Sequence, residues 1–380
     1  MSATDEKMHK LIFSFVENLK QVMSPASQED EDMEIIRIVT GCEVQTKFVT
    51  KSYREITLCD PEKIKQRMEV LEAESVWKKT FENLAKPKKM QRLTSVEAHD
   101  KLQNDLTLLA YDHPNFSEPT LRIALIVRLC AIRKTHIQFK PMLMYGPPGT
   151  GKTRWVRKLC ALLGMHRIAI DLSGGGDFIK ITGSSRSWKN AGPGDVAHGL
   201  AKTECANPII VFDEIDKTHA NHQGNPLDRL LMLTEKETAI EFSDDYIEVP
   251  INTSHCSIIA MANTLEPLPA PFLSRFECYE IRHLDESGRK NMMQNVYTEL
   301  LQEEGITGLL KDTLDKDVIE LLVKSKQEGR ELKSTIQKAI FNACEDLPMR
   351  EPEEEQAVAV QKQHLHLNTR SVKNSIGFIR

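Results

Sequence analysis

The spacing of apolar residues divides the chain into stretches of different periodicity. Apolar side chains recur at helical spacing over residues 8–23, which predicts an amphipathic helix. The acidic run at 27–34 indicates an exposed linker, and the β-branched residues at 35–50 favour one or two strands. Residues 61–85 have a highly charged helical pattern. The basic run KPKKMQR at 86–92 contains a proline, so we expect a solvated linker and a domain boundary there.

Beyond this run, helices are joined by short apolar segments. Two helices are expected over 96–137, with breaks near His113–Pro114 and Glu118–Pro119. Five apolar runs then alternate with helical stretches: MLMY (142–145), RIAIDL (167–172), PIIVF (208–212), SIIAMA (257–262) and CYEI (278–281). Strands that alternate with helices predict βαβ units and a buried parallel sheet.

After about residue 284 the strand signals stop. Residues 285–346 have the pattern of several helices, and the acidic, proline-containing stretch at 346–356 is typical of a linker. We therefore expect four parts: an N-terminal region over 1–90, mainly helical with some strand; an α/β domain with leading helices over 91–284; a small helical domain over 285–346; and a linker and C-terminal tail over 347–380.

Composition narrows the classes of function. The net charge is -5, so no overall basic field favours nucleic acid, although the run at 86–92 leaves that role open. No apolar stretch approaches the roughly 20 residues that a membrane span requires, and the N-terminus has no leader pattern. The eight cysteines stand singly, which favours reduced core thiols in a cytoplasmic protein. His364 and His366 lack partners at metal-ligand spacing, so we expect a solvated tail there.

A glycine-rich loop follows the first apolar run. The stretch GPPGTGKT fits the pattern G-x-x-x-x-G-K-[ST], and it lies between a predicted strand and a predicted helix. Its backbone N–H groups can surround phosphate oxygens, and the helix presents its positive N-terminus to the same anion. The residues expected to bind nucleotide phosphates are Gly146, Pro147, Pro148, Gly149, Thr150, Gly151, Lys152 and Thr153. Lys152 should reach the terminal phosphates, and Thr153 should supply its hydroxyl to Mg²⁺.

Three further signals concern hydrolysis of the nucleotide. The run PIIVF ends in Asp213–Glu214, where Asp213 can hold Mg²⁺ and Glu214 can act as general base towards water; the alternative is that the two acids cap the next helix. Asn263 follows another apolar run and could orient the water, although an isolated asparagine there is usually a turn residue. Arg275 precedes the last run and would by itself be read as a surface arginine.

In this order the four signals resemble the AAA+ ATPases over about residues 140–340. The resemblance implies ATP and Mg²⁺ as cofactors and a three-layer α/β P-loop NTPase fold with a parallel sheet. It also implies a small C-terminal helical lid domain behind the α/β domain. The mainly helical N-terminal region expected from the pattern precedes this domain and lies outside the resemblance. It assigns Asp213 and Glu214 to the Walker B pair and Asn263 to the first sensor. Arg275 becomes an arginine finger that reaches the nucleotide of a neighbouring subunit, which implies a homo-oligomer, with a hexameric ring expected.

Several phrases are similar to the ATPase module of Lon proteases: DEIDK (213–217), GNP (224–226), FSDDYIEVP (242–250), ANTLEPLPAPFLSR (262–275) and SGG (173–175). In that branch a hairpin is expected over 239–252, where Ile240/Phe242 and Ile247/Val249 alternate. A loop with an aromatic residue grips polypeptide in the pore of such rings. The matching stretch is 183–194, with Trp188 and Lys189; alternatively, Trp188 packs on a neighbouring helix.

The sequence departs from Lon at two places. Only 34 residues follow the helical domain, so no protease domain is expected, and the chain should not cleave peptides itself. Ser334 stands where the family has a second-sensor arginine, and Lys333 or Arg330 are the candidates to replace it. The leading hypothesis is a chaperone-like polypeptide remodeller, with a separate protease or adaptor as a further partner and residues 1–90 choosing substrates. A nucleic-acid motor or loader and a slow regulatory ATP switch remain alternatives.

Overall fold

The computed structural model describes residues 55–70, 76–91, 96–174, 177–218, 224–325, 327, 329–347 and 357–365. The helix predicted over 8–23, the linker over 27–34 and the strands over 35–50 lie outside these residues. The chain divides into the units Met1–Gln45 and Thr46–Arg380, and everything described below belongs to the second unit. None of the helices in the described part of the chain is long and apolar enough to cross a membrane.

Two short strands and two helices precede the main domain. They are β1 (Glu55–Ile56), α1 (Pro61–Glu69), α2 (Lys78–Ala85) and β2 (Lys88–Lys89), and β1 pairs antiparallel with β2. The basic run is therefore not a solvated linker. Lys88 is buried, and its Nζ donates to the carbonyl of Thr203 at 2.6 Å. This bond offsets part of the cost of burying an amino group, and burial lowers the pKa of Lys88.

The two helices predicted over 96–137 are present as α3 (Val96–Asp112) and α4 (Ser117–Arg133). The break at His113–Pro114 is confirmed, because a 3₁₀ turn at Pro114–Phe116 separates them. The break expected at Glu118–Pro119 is wrong. Pro119 lies in the first turn of α4, where a backbone N–H has no intrahelical acceptor to lose, so proline is tolerated there.

The predicted parallel sheet is confirmed. Its five strands are β3 (Met142–Tyr145), β4 (Arg167–Asp171), β5 (Ile209–Asp213), β6 (Ser257–Ala262) and β7 (Glu277–Glu280). The strand order is β4-β5-β6-β3-β7, and every neighbouring pair is parallel. The carboxyl ends of β5, β6 and β3 therefore lie side by side at one edge of the sheet.

Helices cover both faces of the sheet. The connections contain α5 (Lys152–Leu162), α6 (Asp177–Thr182), α7 (Asp195–Lys202), α8 (Pro226–Thr234), α9 (Lys236–Ala239) and α10 (Ala270–Leu273). Side chains of β5 alternate between two buried clusters. Ile209 and Val211 pack in a core with α3, α4 and α5, whereas Ile210 and Phe212 pack with α2, α7 and α8. The three-layer α/β fold expected from the sequence is thus confirmed.

The prediction of a β-hairpin over 239–252 is wrong, because the segment does not form two paired strands. The segment has one antiparallel bridge, between Phe242 and Ile251. Between them the carboxylate of Asp244 accepts the N–H groups of Tyr246 and Ile247, which makes a tight turn in place of paired strands. The alternation of apolar residues predicts that Ile240 is buried, but it is exposed. Ile240 directly follows α9 and precedes the bridge, so it is not part of a strand.

The predicted small helical domain contains α11 (Glu286–Glu303), α12 (Lys316–Ser325) and α13 (Gly329–Cys344). It has a hydrophobic core of its own, around Tyr297, Leu300 and Ile340. The expectation of a solvated tail is wrong for residues 357–365, which pack on this core. Val360 is fully buried, and the ring of His364 contacts Asp346 at 2.9 Å. His366 lies outside the described residues.

Candidate active site

The glycine-rich loop joins the carboxyl end of β3 to α5, as the sequence predicts. Gly146, Gly149 and Gly151 have φ angles of 148°, 84° and 92°, a region that residues with a Cβ rarely adopt. At Gly146 a Cβ would also collide with the carbonyl of Ile281, whose N–H donates to Tyr145 beside it. Glycine is therefore required both for the loop conformation and for the close approach of β7.

Lys152 lies in the first turn of α5, and its side chain folds over the loop. Its Nζ donates to the carbonyls of Gly146 at 2.7 Å and of Pro147 at 3.0 Å. Burial lowers the pKa of Lys152, and the charge of Asp213 opposes that shift. The ammonium group is thus held where the loop surrounds its ligand, with a protein carboxylate close enough to act on its charge.

Thr153 and Asp213 meet at the carboxyl end of β5. The hydroxyl of Thr153 donates to Oδ2 of Asp213 at 3.1 Å. Burial raises the pKa of Asp213, while the bond from Thr153 opposes this shift. A hydroxyl and a carboxylate oxygen side by side are hard oxygen donors of the kind Mg²⁺ takes together with phosphate and water. The described residues contain no cluster of three or more His, Cys, Asp or Glu that could hold a metal without such help.

Glu214 has a strained backbone, with φ of 56° in the left-handed region. Its N–H donates to Oδ1 of Asp213 at 2.9 Å, which holds this conformation. The carboxylate of Glu214 pairs with Nζ of Lys217 at 2.7 Å, and hydrogen bonding to Glu214 raises the pKa of Lys217. The two acids therefore do not cap the following 3₁₀ turn through a side-chain bond, which was the alternative considered from sequence.

Asn263 follows β6, the strand between β3 and β5. Its Oδ1 lies 3.5 Å from Nζ of Lys152, at the long limit of a hydrogen bond. The fold thus brings Lys152, Thr153, Asp213 and Asn263 to one edge of the sheet, with Glu214 next in the chain. The catalytic and binding roles given to these residues remain predictions.

Arg275 is not part of this group. It lies between α10 and β7, and therefore at the amino end of β7, whereas the glycine-rich loop follows the carboxyl end of β3. Its guanidinium pairs with Glu235 at 2.6 Å and donates to the carbonyl of Pro271 at 3.0 Å. A role for Arg275 in hydrolysis would require the nucleotide of a second copy of the chain.

Two contacts with the loop were missed by the sequence analysis. Asn115 donates to the carbonyls of Thr150 at 3.1 Å and of Arg282 at 3.2 Å, so it ties the loop to the segment after β7. A Cβ added to Gly329, at the start of α13, would lie 3.5 Å from Cα of Gly149. The only local signal for Asn115 was its position after the His113–Pro114 break, and nothing local marked Gly329.

The position of Gly329 bears on the second-sensor question. Gly329 lies next to Gly149 of the glycine-rich loop, and Arg330 is the following residue of α13. Ser334 is exposed on the same helix. Lys333 pairs with Glu303 of α11 at 2.7 Å, so its charge is already used within the helical domain. Both Arg330 and Lys333 remain predicted replacements.

The predicted polypeptide-gripping segment, residues 183–194, forms a loop between α6 and α7. Trp188 is 50% exposed near its middle, and the neighbouring Lys189 is also exposed. By contrast, Trp155 at the start of α5 is fully buried. Trp188 is therefore available to a ligand and does not serve as a core residue.

Comparison with known proteins agrees with this geometry. Residues 142–283 match the family described as ATPase family associated with various cellular activities (AAA). A mitochondrial Lon protease homologue of Aspergillus fumigatus is 31% identical over 256 residues, which are 65% of this chain and 23% of the relative. The Lon protease of Methanosarcina barkeri is 39% identical over 140 residues, 37% of this chain and 18% of the relative.

A peroxisomal Lon protease homologue of Spinacia oleracea is 31% identical over 202 residues, 52% of this chain and 23% of the relative. The chain thus spans less than a quarter of the length of these relatives. Among solved structures, Hsp104 with ATPγS and FITC casein in a closed state has a TM-score of 0.52 at 18% identity, over 66% of this chain and 48% of that chain. Residues 142–283 are therefore an AAA domain, and the chain carries an AAA+ ATPase module similar to that of Lon proteases.

Proposed function

We propose that this chain is an Mg²⁺-dependent ATPase that assembles into a homo-oligomeric ring and uses hydrolysis to pull on polypeptide. The observation that carries the proposal is the exposed Trp188, held on a loop of the same domain that carries the glycine-rich loop. An exposed aromatic ring on a loop offers a bound polypeptide a large and rigid apolar contact surface. The flat ring of Trp188 can pack against an extended polypeptide whatever the sequence of that polypeptide.

The nucleotide would be held by the loop from Gly146 to Thr153. Backbone N–H groups and the N-terminus of α5 would take the phosphates, and Lys152 would exchange its carbonyl partners for phosphate oxygens. Thr153 and Asp213 would hold Mg²⁺, which supplies charge neutralisation for phosphoryl transfer when bound. The present hydrogen bond between these two side chains shows that both reach one point.

Glu214 and Asn263 are proposed to act on water. The carboxylate of Glu214 pairs with Lys217, whereas that of Asp213 accepts from Thr153, so the two acids can serve different roles. Glu214 would accept the proton of the attacking water after release from Lys217, and Asn263 would orient that water without adding charge. Arg275 would reach the nucleotide of a neighbouring subunit, after release from Glu235.

The other parts of the chain are proposed to support this motor. The helical domain at 285–346 would act as a lid, since the start of α13 lies at the glycine-rich loop. Residues 1–90 are proposed to recognise substrates, and a separate protease or adaptor could take the released polypeptide. The relatives named as mitochondrial and peroxisomal leave the expected cytoplasmic location a prediction.

The test is the ATPase rate against protein concentration, alone, with an unfolded protein, or with single-stranded DNA. We expect specific activity to rise with concentration, because sites shared between subunits need assembly, and to rise again with unfolded protein. Trp188→Ala should lose that second rise and keep the basal rate, whereas the control Trp188→Phe should keep both. Stimulation by DNA that weakens steeply with salt would favour the nucleic-acid motor. A slow rate indifferent to both polymers would favour the regulatory switch.

A further inference from the structure

We call residues 183–194 the Trp188 loop. Its two ends, residues 183–184 and 192–194, lie close together, and we call them the neck of the loop. Ser184 donates its N–H to the carbonyl of Gly192 at 3.0 Å, and its hydroxyl oxygen accepts the N–H of Gly192 at 3.1 Å. Ser184 is buried, whereas residues 187–190 are exposed. Two hydrogen bonds thus join the two arms of the loop below an exposed tip.

The neck also depends on close backbone contacts. Gly183 has φ of 75°, and a Cβ there would lie 2.7 Å from the carbonyl oxygen of Gly192. A Cβ on Gly194 would collide with the carbonyl of Ile181. These positions leave no room for a side chain, so the arms can stay this close only with glycine.

The carboxylate of Asp244 fixes the neck to the rest of the domain. Asp244 is fully buried, and its Oδ2 accepts the N–H of Gly194 at 2.8 Å. Its Oδ1 accepts the N–H groups of Tyr246 and Ile247, each at 2.9 Å. Next to it, Asp245 donates its N–H to the carbonyl of Thr182 at 2.6 Å, just before the loop begins. One side chain therefore binds both the loop and the turn at 244–247.

Helix α2 and the residue before it supply a second support. A Cβ on Gly192 would lie 2.8 Å from the ring of Trp77, so that ring presses on the neck. The guanidinium of Arg186, within the loop, lies 5.5 Å from the ring centre of Phe81 and 5.2 Å from that of Tyr246. Its Nε donates to the carbonyl of Tyr246 at 2.9 Å. Asp244 and the rings of Trp77, Phe81 and Tyr246 thus contact the loop on two sides, whereas the side chain of Trp188 is exposed.

We propose that Asp244 is a positioning residue that makes the Trp188 loop a stiff lever. The packing of Arg186 against Phe81 of α2 and against Tyr246 gives the loop its second support. The proposal rests on the proposed function, since it concerns how the pull reaches the polypeptide. A loop that bends under load would absorb the motion of the domain, whereas a stiff one passes it to Trp188. Replacing Asp244 removes a charge-assisted acceptor and weakens three bonds to buried N–H groups.

The test compares Asp244→Asn with Asp245→Asn in the full chain at pH 8. Burial raises the pKa of Asp244 to about 7, so its carboxylate is mainly charged at that pH. Both changes remove one charge at adjacent positions, but within the described part of the chain the side chain of Asp245 accepts only the hydroxyl of Thr182, at 3.4 Å, and no N–H from the loop. We expect amide exchange over residues 183–194 to become about tenfold faster in Asp244→Asn and to stay unchanged in Asp245→Asn. Equal exchange in the two variants would overturn the proposal.

The second readout is the ATPase rate against the concentration of unfolded protein. Asp244→Asn should raise the concentration for half-maximal stimulation about tenfold and leave the basal rate unchanged. A fall in the basal rate together with the thermal midpoint would mean a general structural role and would overturn the proposal. If the wild type shows no stimulation, the proposed function fails, and the exchange rates alone decide whether Asp244 holds the loop.

A second variant protects the test against misfolding. Arg186→Ala removes the contacts with Phe81 and Tyr246 but leaves the buried carboxylate in place. It should speed amide exchange over residues 183–194 and raise the half-maximal concentration in the same direction as Asp244→Asn. If Asp244→Asn fails to fold and Arg186→Ala behaves as wild type in both readouts, the lever is refuted.

Discussion

Arg275 gives the sharpest test of the proposed ring, because its contacts within one chain limit what its removal can do to the fold. The Arg275 side chain is 34% exposed and pairs with Glu235, whose side chain is 43% exposed. An ion pair this open contributes about 0.5–1 kcal/mol to the free energy of unfolding. Arg275→Ala should therefore fold, bind nucleotide and lose at most a few degrees of thermal stability.

The expected effect on turnover is much larger. An arginine that stabilises the transition state in trans is worth about 10³–10⁵ in rate, which corresponds to about 4–7 kcal/mol of barrier. Loss of the Glu235 pair cannot supply an effect of that size. Arg275→Lys should recover little activity, since an ammonium lacks the planar fork of the guanidinium. Glu235→Gln serves as the matched control, because it breaks the same ion pair and leaves the arginine in place.

A mixing assay separates action in trans from action in cis. Arg275→Ala keeps the nucleotide site, and Glu214→Gln keeps the arginine while it should bind ATP without turnover. In a 1:1 mixed ring, about a quarter of the interfaces would combine an intact site with an intact arginine, so roughly a quarter of the wild-type rate should return. No recovery from two variants that co-assemble, or normal turnover by either variant alone, would refute the shared site.

The remaining predictions concern the lid, the core and the buried acid. Arg330→Ala should lower the ATPase rate at least tenfold, and Ser334→Ala should not; equal rates would remove Arg330 as the second-sensor candidate. Trp155→Phe should lower the free energy of unfolding by about 1–3 kcal/mol in chemical denaturation, because the buried indole loses its 3.0 Å bond to the hydroxyl of Thr120; no change would mean that this bond adds nothing. Since burial raises the pKa of Asp244 to about 7, the folded chain holds a proton there that the unfolded chain releases near pH 4. Wild-type thermal stability should then fall relative to Asp244→Asn as the pH rises from about 4 to 7, and parallel profiles would contradict this.

Local patterns in the sequence were sufficient for the sheet and for the phosphate loop. Runs such as SIIAMA are buried on both faces, so their composition predicts a central strand without knowledge of its neighbours. The loop at 146–153 is also local, because its glycines, its lysine and the helix that follows are consecutive in the chain. Where a pattern depended on a partner far along the chain, the prediction failed. The sequence predicts a solvated linker at Lys88, since the acceptor of this lysine, the carbonyl of Thr203, is more than a hundred positions away.

Tertiary structure decided how distant residues act together. Asp213, Asn263 and Lys152 meet because β5, β6 and β3 are neighbours in the sheet, an order that chain sequence does not reveal. The same holds for Asp244, whose charge is satisfied by a loop fifty positions earlier, and for Gly329 beside Gly149. The sequence by itself determined the strands and the glycine-rich loop between β3 and α5, because those features follow from each residue and its near neighbours. The structure decided which groups share a site, because burial and hydrogen bonding between distant segments depend on how the whole domain packs.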